Sequence, residues 1–395
     1  MPSANTIKTN QLTELVAVRM AETAAYLKVG SNKYFADQLI GKRSGQTYSF
    51  TKRDTGAAVN SLSIGNNDDV SITEKEIKLT LSPWHIAVQT NAIEAITDIN
   101  TWDEEVAVPN GRKLCNAVVR DQIAKDLGNT TTAFVGSGFR PLAKASAHLQ
   151  SISTEKLYGF IDPNVEAILT TNGQQFQPVG TPNMYSKGAL GTFHSCEYYP
   201  QRFIANVTVS ADLVTAINSA TVSAVDTSNA NYDTITLSAS VAIPRGFVFH
   251  VDGAYAADLV GDPTSVPFAF VAYENGTNGV VKVRKIEFTG GAKEIVKADG
   301  SEWTANELVG KSVSTPCEAG TYFGGFIRLN GCEEFETLDK LDVSNADTKS
   351  GSVDGIHVHE NRAVDIKDMT NYTRWDVVTL AGVVEKRGVA WLLVK

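Results

Sequence analysis

Two histidines separated by one residue, His357 and His359, are the pair in this chain whose spacing could bind a metal ion. On a β-strand, residues two apart point to the same face, so both imidazoles could reach one ion. A site of this kind needs a further ligand such as a glutamate a few residues on, but Ala363 and Val364 are apolar, and Glu360 would point to the other face. We therefore interpret the two histidines as surface or loop residues and predict no metal.

Other candidate chemistry is also incomplete. Residues 41–45 (GKRSG) lack the Gly-Lys-Ser/Thr ending of a phosphate loop, and residues 136–138 (GSG) lack the G-x-S-x-G pattern of a nucleophile elbow. The acidic run 103–105 suits a helix N-terminus, where negative charge is favourable, and Glu333-Glu334 is typical of a solvated surface. We predict no catalytic residue, no cofactor and no enzyme.

Composition limits the remaining classes. The chain has 395 residues, a net charge of −9 and a pI near 5.3, so it lacks the overall basic character of a nucleic-acid-binding protein. Its four cysteines are widely spaced, which favours reduced, buried thiols over a zinc site or a disulfide framework. The first residues lack an apolar signal segment, and no apolar run approaches a membrane span, so we expect synthesis in the cytosol.

The elements begin with an amphipathic helix over residues 11–28. Residues 41–82 alternate around Tyr48 and Phe50, pass a polar tip, and alternate again from Val70 to Leu81, which predicts a long two-stranded arm. The arm carries basic residues on its outgoing side and acidic ones on its return, which makes it a candidate inter-subunit surface. The contact candidates are Lys42, Arg43, Lys52, Arg53, Asp68, Asp69 and Glu74.

The rest of the chain is mixed and then rich in strands. An apolar stripe predicts a helix over 111–127, whose start is open because of Pro109; residues 130–150 are loop-like, and 162–171 is helical. Residues 206–318 consist of short strands and turns. Within them, 231–251 (NYDTITLSASVAIPRGFVFHV) has two alternating strands around a Pro-Arg-Gly turn, which indicates an inserted β-domain.

This order of parts resembles the major capsid proteins of tailed bacteriophages with the HK97-like fold, and most of all the short-tailed-phage coat proteins that carry an inserted β-barrel domain. The resemblance rests on residues 234–253 (TITLSASVAIPRGFVFHVDG) and on residues 353–383. It implies an α+β fold with an N-arm, an extended β-hairpin loop, a peripheral domain with a spine helix, an axial domain and the inserted barrel.

The resemblance also implies boundaries. They are an N-arm at 1–33, an extended loop at 34–82, a peripheral domain at 83–149 with its spine helix within 103–127, axial segments at 150–205 and 319–350 around the insert 206–318, and peripheral strands at 351–395.

The function implied is a shell subunit. Such a subunit forms hexamers and pentamers of an icosahedral virion, encloses double-stranded DNA without reading its sequence, and meets scaffolding, portal and decoration proteins. The alternatives are another phage structural protein, from the tail or the decoration, and a β-rich enzyme or carbohydrate-binding module. Neither the triangulation number, the host, the need for scaffolding nor maturation by expansion is determined by the residues.

Overall fold

A computed structural model describes residues 16–17, 26, 47–54, 73–91, 106, 108–173, 192–289, 293–339, 347–353, 355–365 and 370–395. The fold is mixed α+β and consists mostly of strands. Its helices in these ranges are α1 (Val108–Asp126), α2 (Arg140–Ile152), α3 (Pro163–Gly173) and α4 (Ala211–Asn218), with 3-10 turns at Ala305–Leu308 and Lys386–Gly388.

The strands are numbered in chain order. They are β1 (Thr47–Asp54), β2 (Thr73–Thr80), β3 (Ser82–Asn91), β4 (Thr132–Gly136), β5 (Leu157–Ile161), β6 (Thr192–Phe193), β7 (Cys196–Pro200), β8 (Val207–Val209), β9 (Val222–Asp226), β10 (Tyr232–Leu237), β11 (Val248–Val251), β12 (Tyr255–Ala257), β13 (Pro263–Pro267), β14 (Phe270–Val271), β15 (Val280–Arg284), β16 (Ile295–Val296), β17 (Val313–Ser314), β18 (Gly320–Leu329), β19 (Glu333–Thr337), β20 (Asp347–Val353), β21 (Ile356–Asp365), β22 (Thr370–Val383) and β23 (Val389–Val394).

Helix α1 confirms the predicted helix of residues 111–127. Its apolar stripe is buried as the helical spacing requires, at Cys115, Val118, Val119, Ile123 and Leu127. As described, α1 begins at Val108 and has Pro109 in its first turn, where the missing proline N–H breaks no helical hydrogen bond. Of the predicted helix 11–28, the described residues Val16, Ala17 and Tyr26 are helical and buried.

The loop predicted for residues 130–150 is wrong, because β4 and most of α2 lie there. Leu142, Ala145 and Leu149 are all fully buried at i, i+3 and i+7, which is the stripe of a helix packed on one side. Small residues between them obscure that pattern in the sequence. The helix predicted for 162–171 is confirmed by α3.

A large sheet has the strand order β4-β23-β18-β5-β7-β6, and β8 also pairs with β18. All residues of β23 are buried, which is typical of a central strand covered on both faces. At Gly324 in β18, an added Cβ would lie 2.4 Å from the Ala205 carbonyl oxygen, so only glycine fits this close backbone approach.

Residues 206–318, predicted to be an inserted domain and called the insert below, contain three three-stranded sheets in the orders β15-β10-β9, β14-β11-β17 and β13-β12-β16. The side chains predicted to face inward are buried, among them Ile235, Leu237, Phe247 and Phe249. However, β10 and β11, which flank the Pro-Arg-Gly turn, pair with other strands and belong to different sheets. The closed barrel stays a prediction.

The two ends of the insert lie on neighbouring strands that pair with each other. Val207–Val209, which enters the insert, pairs antiparallel with Gly320–Tyr322, which leaves it, and the register joins Thr208 to Thr321. An inserted domain needs its two connections close together, because the host domain must continue where it was interrupted.

A second sheet has the order β19-β22-β21-β20, and β3 pairs with β22 along ten residues. Contacts divide the chain into two compact units. One consists of residues 1–50, 78–122 and 333–382 and contains this second sheet; the other consists of 51–77, 123–332 and 383–395 and contains the large sheet and the insert.

Candidate inter-subunit elements and buried polar junctions

The predicted arm contains two paired strands. β1 and β2 form a two-stranded sheet of eight residues each, which agrees with the strands predicted within 41–82. Of the contact candidates, Lys52 and Arg53 lie on β1 and Glu74 lies on β2, although their side chains are not described. The remaining candidates and the tip of the arm lie outside the described residues, namely Lys42, Arg43, Asp68, Asp69 and residues 55–72.

The arm leads directly into β3, which borders the second sheet. Along β3 exposure alternates, with Trp84, Ile86 and Val88 half-buried and the residues between them exposed. Its partner β22 contributes fully buried Trp375 to the same face as Ile86, since these two residues are register partners. Burial on this face is therefore complete at β22 and partial at β3.

The histidine pair lies on β21 and is not a loop feature. His359 is fully buried: its Nδ1 is 2.9 Å from Ser350 Oγ and its Nε2 is 2.8 Å from the Leu338 carbonyl oxygen. Because a carbonyl can only accept, the neutral ring donates from Nε2 and accepts at Nδ1. Burial lowers the pKa of both His357 and His359. The prediction of a surface or loop position is wrong for His359.

Charged side chains on β21 and β22 bind one another on both faces of the second sheet. On one face, fully buried Glu360 accepts from Trp375 Nε1 at 3.1 Å and from Arg362 Nε at 2.5 Å. The bond from Trp375 to Glu360 joins β22 to β21 only in one register, because a shift by one residue would move each group to the opposite face.

On the other face, the buried carboxylate of Asp376 accepts from Asn361 Nδ2 at 2.7 Å and from Arg374 Nε at 2.7 Å. Asn361 in turn accepts from Thr348 Oγ1 on β20 at 2.8 Å. The two clusters therefore fix the alignment of β20, β21 and β22.

The acidic pair Glu333-Glu334, predicted to be a solvated surface, is buried at the start of β19. Glu333 Oε1 accepts a 2.6 Å hydrogen bond from Gln122 Nε2 on α1, 211 residues away in sequence. A short window of sequence does not reveal a partner so far away, and the environment of Glu333 is set by this long-range contact. Among the described residues, no group of three or more His, Cys, Asp and Glu side chains could hold a metal ion.

The C-terminal end of α1 is capped by an arginine of the insert. Arg284, at the end of β15, donates from Nη2 to the Ala124 carbonyl oxygen at 2.8 Å and from Nε to the Leu127 carbonyl oxygen at 3.2 Å. The last carbonyls of a helix lack partners within the helix and attract a positive charge. Gly128 follows with φ of +82°, and the Arg284 guanidinium lies 4.4 Å from the Tyr273 ring centroid.

A second arginine lies beside the same helix end. Arg328 on β18 is buried, with Nη1 4.0 Å from Asp126 Oδ2 and its guanidinium 4.7 Å from the Phe160 ring centroid. Burial raises the pKa of Asp126 to about 7, while the positive charges of Arg328 and Arg284 act in the opposite direction. Two arginines, one from the large sheet and one from the insert, thus converge on the end of α1.

The chain after β22 contacts the insert as well. The buried indole of Trp391 on β23 donates to the Gly246 carbonyl oxygen at 3.1 Å. Lys386 forms an ion pair with Glu294 at 3.2 Å and also donates to the Lys285 carbonyl oxygen. Together with β8 and Arg284, these contacts join the insert to the large sheet, to the end of α1 and to the 3-10 turn before β23, all within one unit.

All four cysteines lie in the described residues, are buried, and form no disulfide, as predicted. No helix among the described residues is long and apolar enough to span a membrane.

The sequence matches no protein-family model and no curated protein. Similar solved structures include that of Mycobacterium phage Che8, with a TM-score of 0.46 and 8% identity over 92% of this chain and 89% of that chain. The capsid structure of the cyanophage P-SCSP1u has a TM-score of 0.45 and 10% identity over 90% and 85%. A virus-like particle from Pyrococcus furiosus has 0.41 and 10% over 97% of both chains.

Proposed function

We propose that this chain is the major capsid protein of a tailed bacteriophage, which self-assembles into the hexamers and pentamers of an icosahedral shell around double-stranded DNA. The observation that carries the proposal is the arm: β1 and β2 form a two-stranded sheet with no third strand among the described residues. A two-stranded hairpin is at best marginally stable in water, so an arm of this kind needs a covering surface. In a shell, a neighbouring subunit supplies it.

The insert supports the same proposal. Its ends pair with each other through β8 and β18, which is what a domain inserted into a host fold requires. The order of arm, long helix, interrupted sheet and returning terminal strands is the order on which the resemblance to HK97-like coat proteins rests. In this proposal α1 is the spine helix, and the insert stabilises the subunit and contacts neighbouring capsomers.

The test is the size of the particle that the purified chain forms, measured by negative-stain microscopy and analytical ultracentrifugation. Closed shells of hundreds of copies are expected. Rings or trimers would favour a tail or decoration protein, and a small stable species would favour an enzyme or a binding module.

A deletion of residues 54–67 separates folding from assembly. We expect a folded subunit that no longer closes shells, because the arm cannot reach its neighbour. A control deletion removes residues 154–155, an exposed loop between α2 and β5 that lies outside the arm and the insert, and should assemble normally. Shells of normal size from the 54–67 deletion would refute the inter-subunit role of the arm.

The charged arm residues refine this test. We propose that Lys52 and Arg53 face an acidic surface of the neighbouring subunit, so replacing both with Glu should weaken assembly. Exposed charge pairs are screened over about 10 Å at ~0.1 M salt, so the defect should shrink as salt is added. An assembly defect that does not change with salt would contradict a role for these charges.

The acidic chain also bears on the contents of the shell. With a net charge of −9 per copy, we propose that the wall does not bind DNA tightly, so that the packaged polyanion is enclosed without adhering to it. Purified subunits or shells should not retain duplex DNA in a gel-shift assay at physiological salt. Tight, salt-sensitive retention would show that local basic patches govern the surface. Scaffolding, portal and decoration proteins remain proposed partners.

A further inference from the structure

Five Asn-Gly pairs occur in the sequence, starting at residues 110, 172, 275, 278 and 330. In such a pair the glycine has no side chain, so its backbone nitrogen can approach the carbonyl carbon of the asparagine side chain. Attack there converts the asparagine to a succinimide. The reaction requires an accessible side chain and a peptide nitrogen that is not already held by a hydrogen bond.

The pair Asn110-Gly111 is protected by its helix and its packing. It lies inside α1, and the side chain of Asn110 is buried. An added Cβ at Gly111 would lie 3.2 Å from the Val16 carbonyl oxygen, so another segment closes on this peptide. The pair Asn172-Gly173 closes α3. The side chain of Asn172 is not described, so the comparison concerns the other four pairs.

Two further pairs are held by hydrogen bonds within the insert. Asn275 Oδ1 accepts from the Arg245 backbone N–H at 2.8 Å, and the following Gly276 N–H donates to the Ile243 carbonyl oxygen at 2.8 Å. In the pair Asn278-Gly279 the glycine N–H donates to the Val241 carbonyl oxygen at 2.9 Å. Each nitrogen would have to break its hydrogen bond before it could attack.

The pair Asn330-Gly331 shares its exposed asparagine with the pairs at 275 and 278, but it differs from them in the free glycine nitrogen and in the open space around the glycine. It forms the turn after β18, Asn330 is exposed, and Gly331 has φ of +80° with no atom within 4 Å of an added Cβ. Within the described part of the chain, the Gly331 N–H donates no backbone hydrogen bond. The backbone of Asn330 itself is anchored, since its N–H donates to the Lys156 carbonyl oxygen at 2.9 Å.

We propose that Asn330 is the spontaneous modification site of this protein and deamidates before the pairs at 110, 275 and 278. The Gly331 nitrogen loses its proton and bonds to the side-chain carbonyl carbon of Asn330; the bond from that carbon to the amide nitrogen breaks, and ammonia leaves. Water then opens the succinimide to aspartate or isoaspartate, with no oxidant or reductant. The site does not depend on the proposed function.

The product changes charge and backbone at a sensitive place. Each event adds one negative charge, and isoaspartate also places an extra methylene group in the main chain. The turn lies immediately before residues 332 and 333, where the chain passes from one compact unit to the other.

The experiment incubates the full-length protein at mildly alkaline pH and follows aspartate and isoaspartate at each pair by peptide mapping, with a parallel sample in urea. In native protein, conversion at Asn330 should be at least several-fold faster than at residues 110, 275 and 278. In urea the four rates should converge, because the fold no longer distinguishes them. Asn330→Gln should remove the early charge variant.

Two results would overturn the proposal. One is native conversion at Asn330 no faster than at the other three pairs. The other is the same preference for Asn330 in urea as in native protein, which would mean that neighbouring sequence sets the rate and the turn geometry does not.

Discussion

Replacing Arg284 should destabilise the subunit by detaching the insert from the end of α1. The guanidinium makes two charge-assisted hydrogen bonds, to the carbonyl oxygens of Ala124 and Leu127, and lies 4.4 Å from the Tyr273 ring centroid. Arg284 is half-buried, and this burial lowers the pKa of its guanidinium. The side chain therefore cannot be exchanged for solvent without loss.

The size of the effect follows from these contacts. Hydrogen bonds to charged groups contribute about 1.5–3 kcal/mol each, and a cation–π contact about 0.5–1 kcal/mol. Water will reach part of the space left by Arg284→Ala and satisfy some of the carbonyls, so the contributions do not simply add. We expect a loss of roughly 2–4 kcal/mol in the free energy of unfolding.

The assay is urea unfolding of the unassembled subunit followed by tryptophan fluorescence, with hydrogen exchange at the backbone amides of Leu127 and Asn129. Arg284→Ala should lower the midpoint and accelerate exchange at both amides, which donate to the last carbonyls of α1. Arg284→Lys keeps the charge but loses the planar guanidinium, so its unfolding midpoint and its exchange rates should lie between those of the wild type and those of Arg284→Ala.

The matched control is Arg202→Ala, since Arg202 is exposed on a loop of the same unit. Its effect should stay within about 0.5 kcal/mol, as is usual for surface substitutions. An Arg284→Ala variant as stable as this control, with unchanged exchange at the helix end, would refute the capping role.

Three further predictions concern single groups and the insert. Burial lowers the pKa of His148 to about 4, so as the pH falls this histidine takes up a proton in the unfolded chain before it does so in the folded one, and the stability should drop between about pH 6.5 and 4. His148→Phe should flatten this part of the pH profile, whereas His194→Gln, at an exposed site, should not. Asp233 is fully buried, pairs with the partly exposed Lys285 at 2.9 Å and accepts from the Ile286 N–H at 2.8 Å, so Asp233→Ala should cost about 1–3 kcal/mol in urea unfolding, and a cost below about 0.5 kcal/mol would contradict the pairing. The fragment 206–318, predicted to fold alone, should show a cooperative melt and dispersed amide resonances, and a disordered fragment would mean that its contacts to α1 and β23 are required.

The sequence by itself determined the features that depend on local periodicity. The apolar stripe of α1, the paired strands of the arm and the inward residues of β10 and β11 follow from spacings of 3.6 and 2, which a short window of sequence displays. The same reasoning missed α2, because residues 130–150 are rich in Gly, Ser, Thr and Ala, a composition typical of loops, even though Leu142, Ala145 and Leu149 have helical spacing.

The histidine pair shows the limit for site residues. Its spacing correctly indicates a shared strand face, but whether His359 meets water, a metal or a hydrogen-bonding partner depends on Ser350 and Leu338. The alternation of a strand predicts which side chains share a face, but it does not predict which residues from other segments contact that face.

Only the tertiary structure decided which polar groups are buried and which strands pair outside the arm. Glu333 looks like a surface residue until Gln122 is placed beside it, and Arg284 looks like an ordinary strand end until it meets the last carbonyls of α1. The strands β10 and β11 look like a hairpin, yet each finds its partners elsewhere. The physical reason is that burial and strand pairing are set by contacts between residues far apart in the chain, where the free energy of a charge or an unpaired edge depends on the partner that folding brings to it.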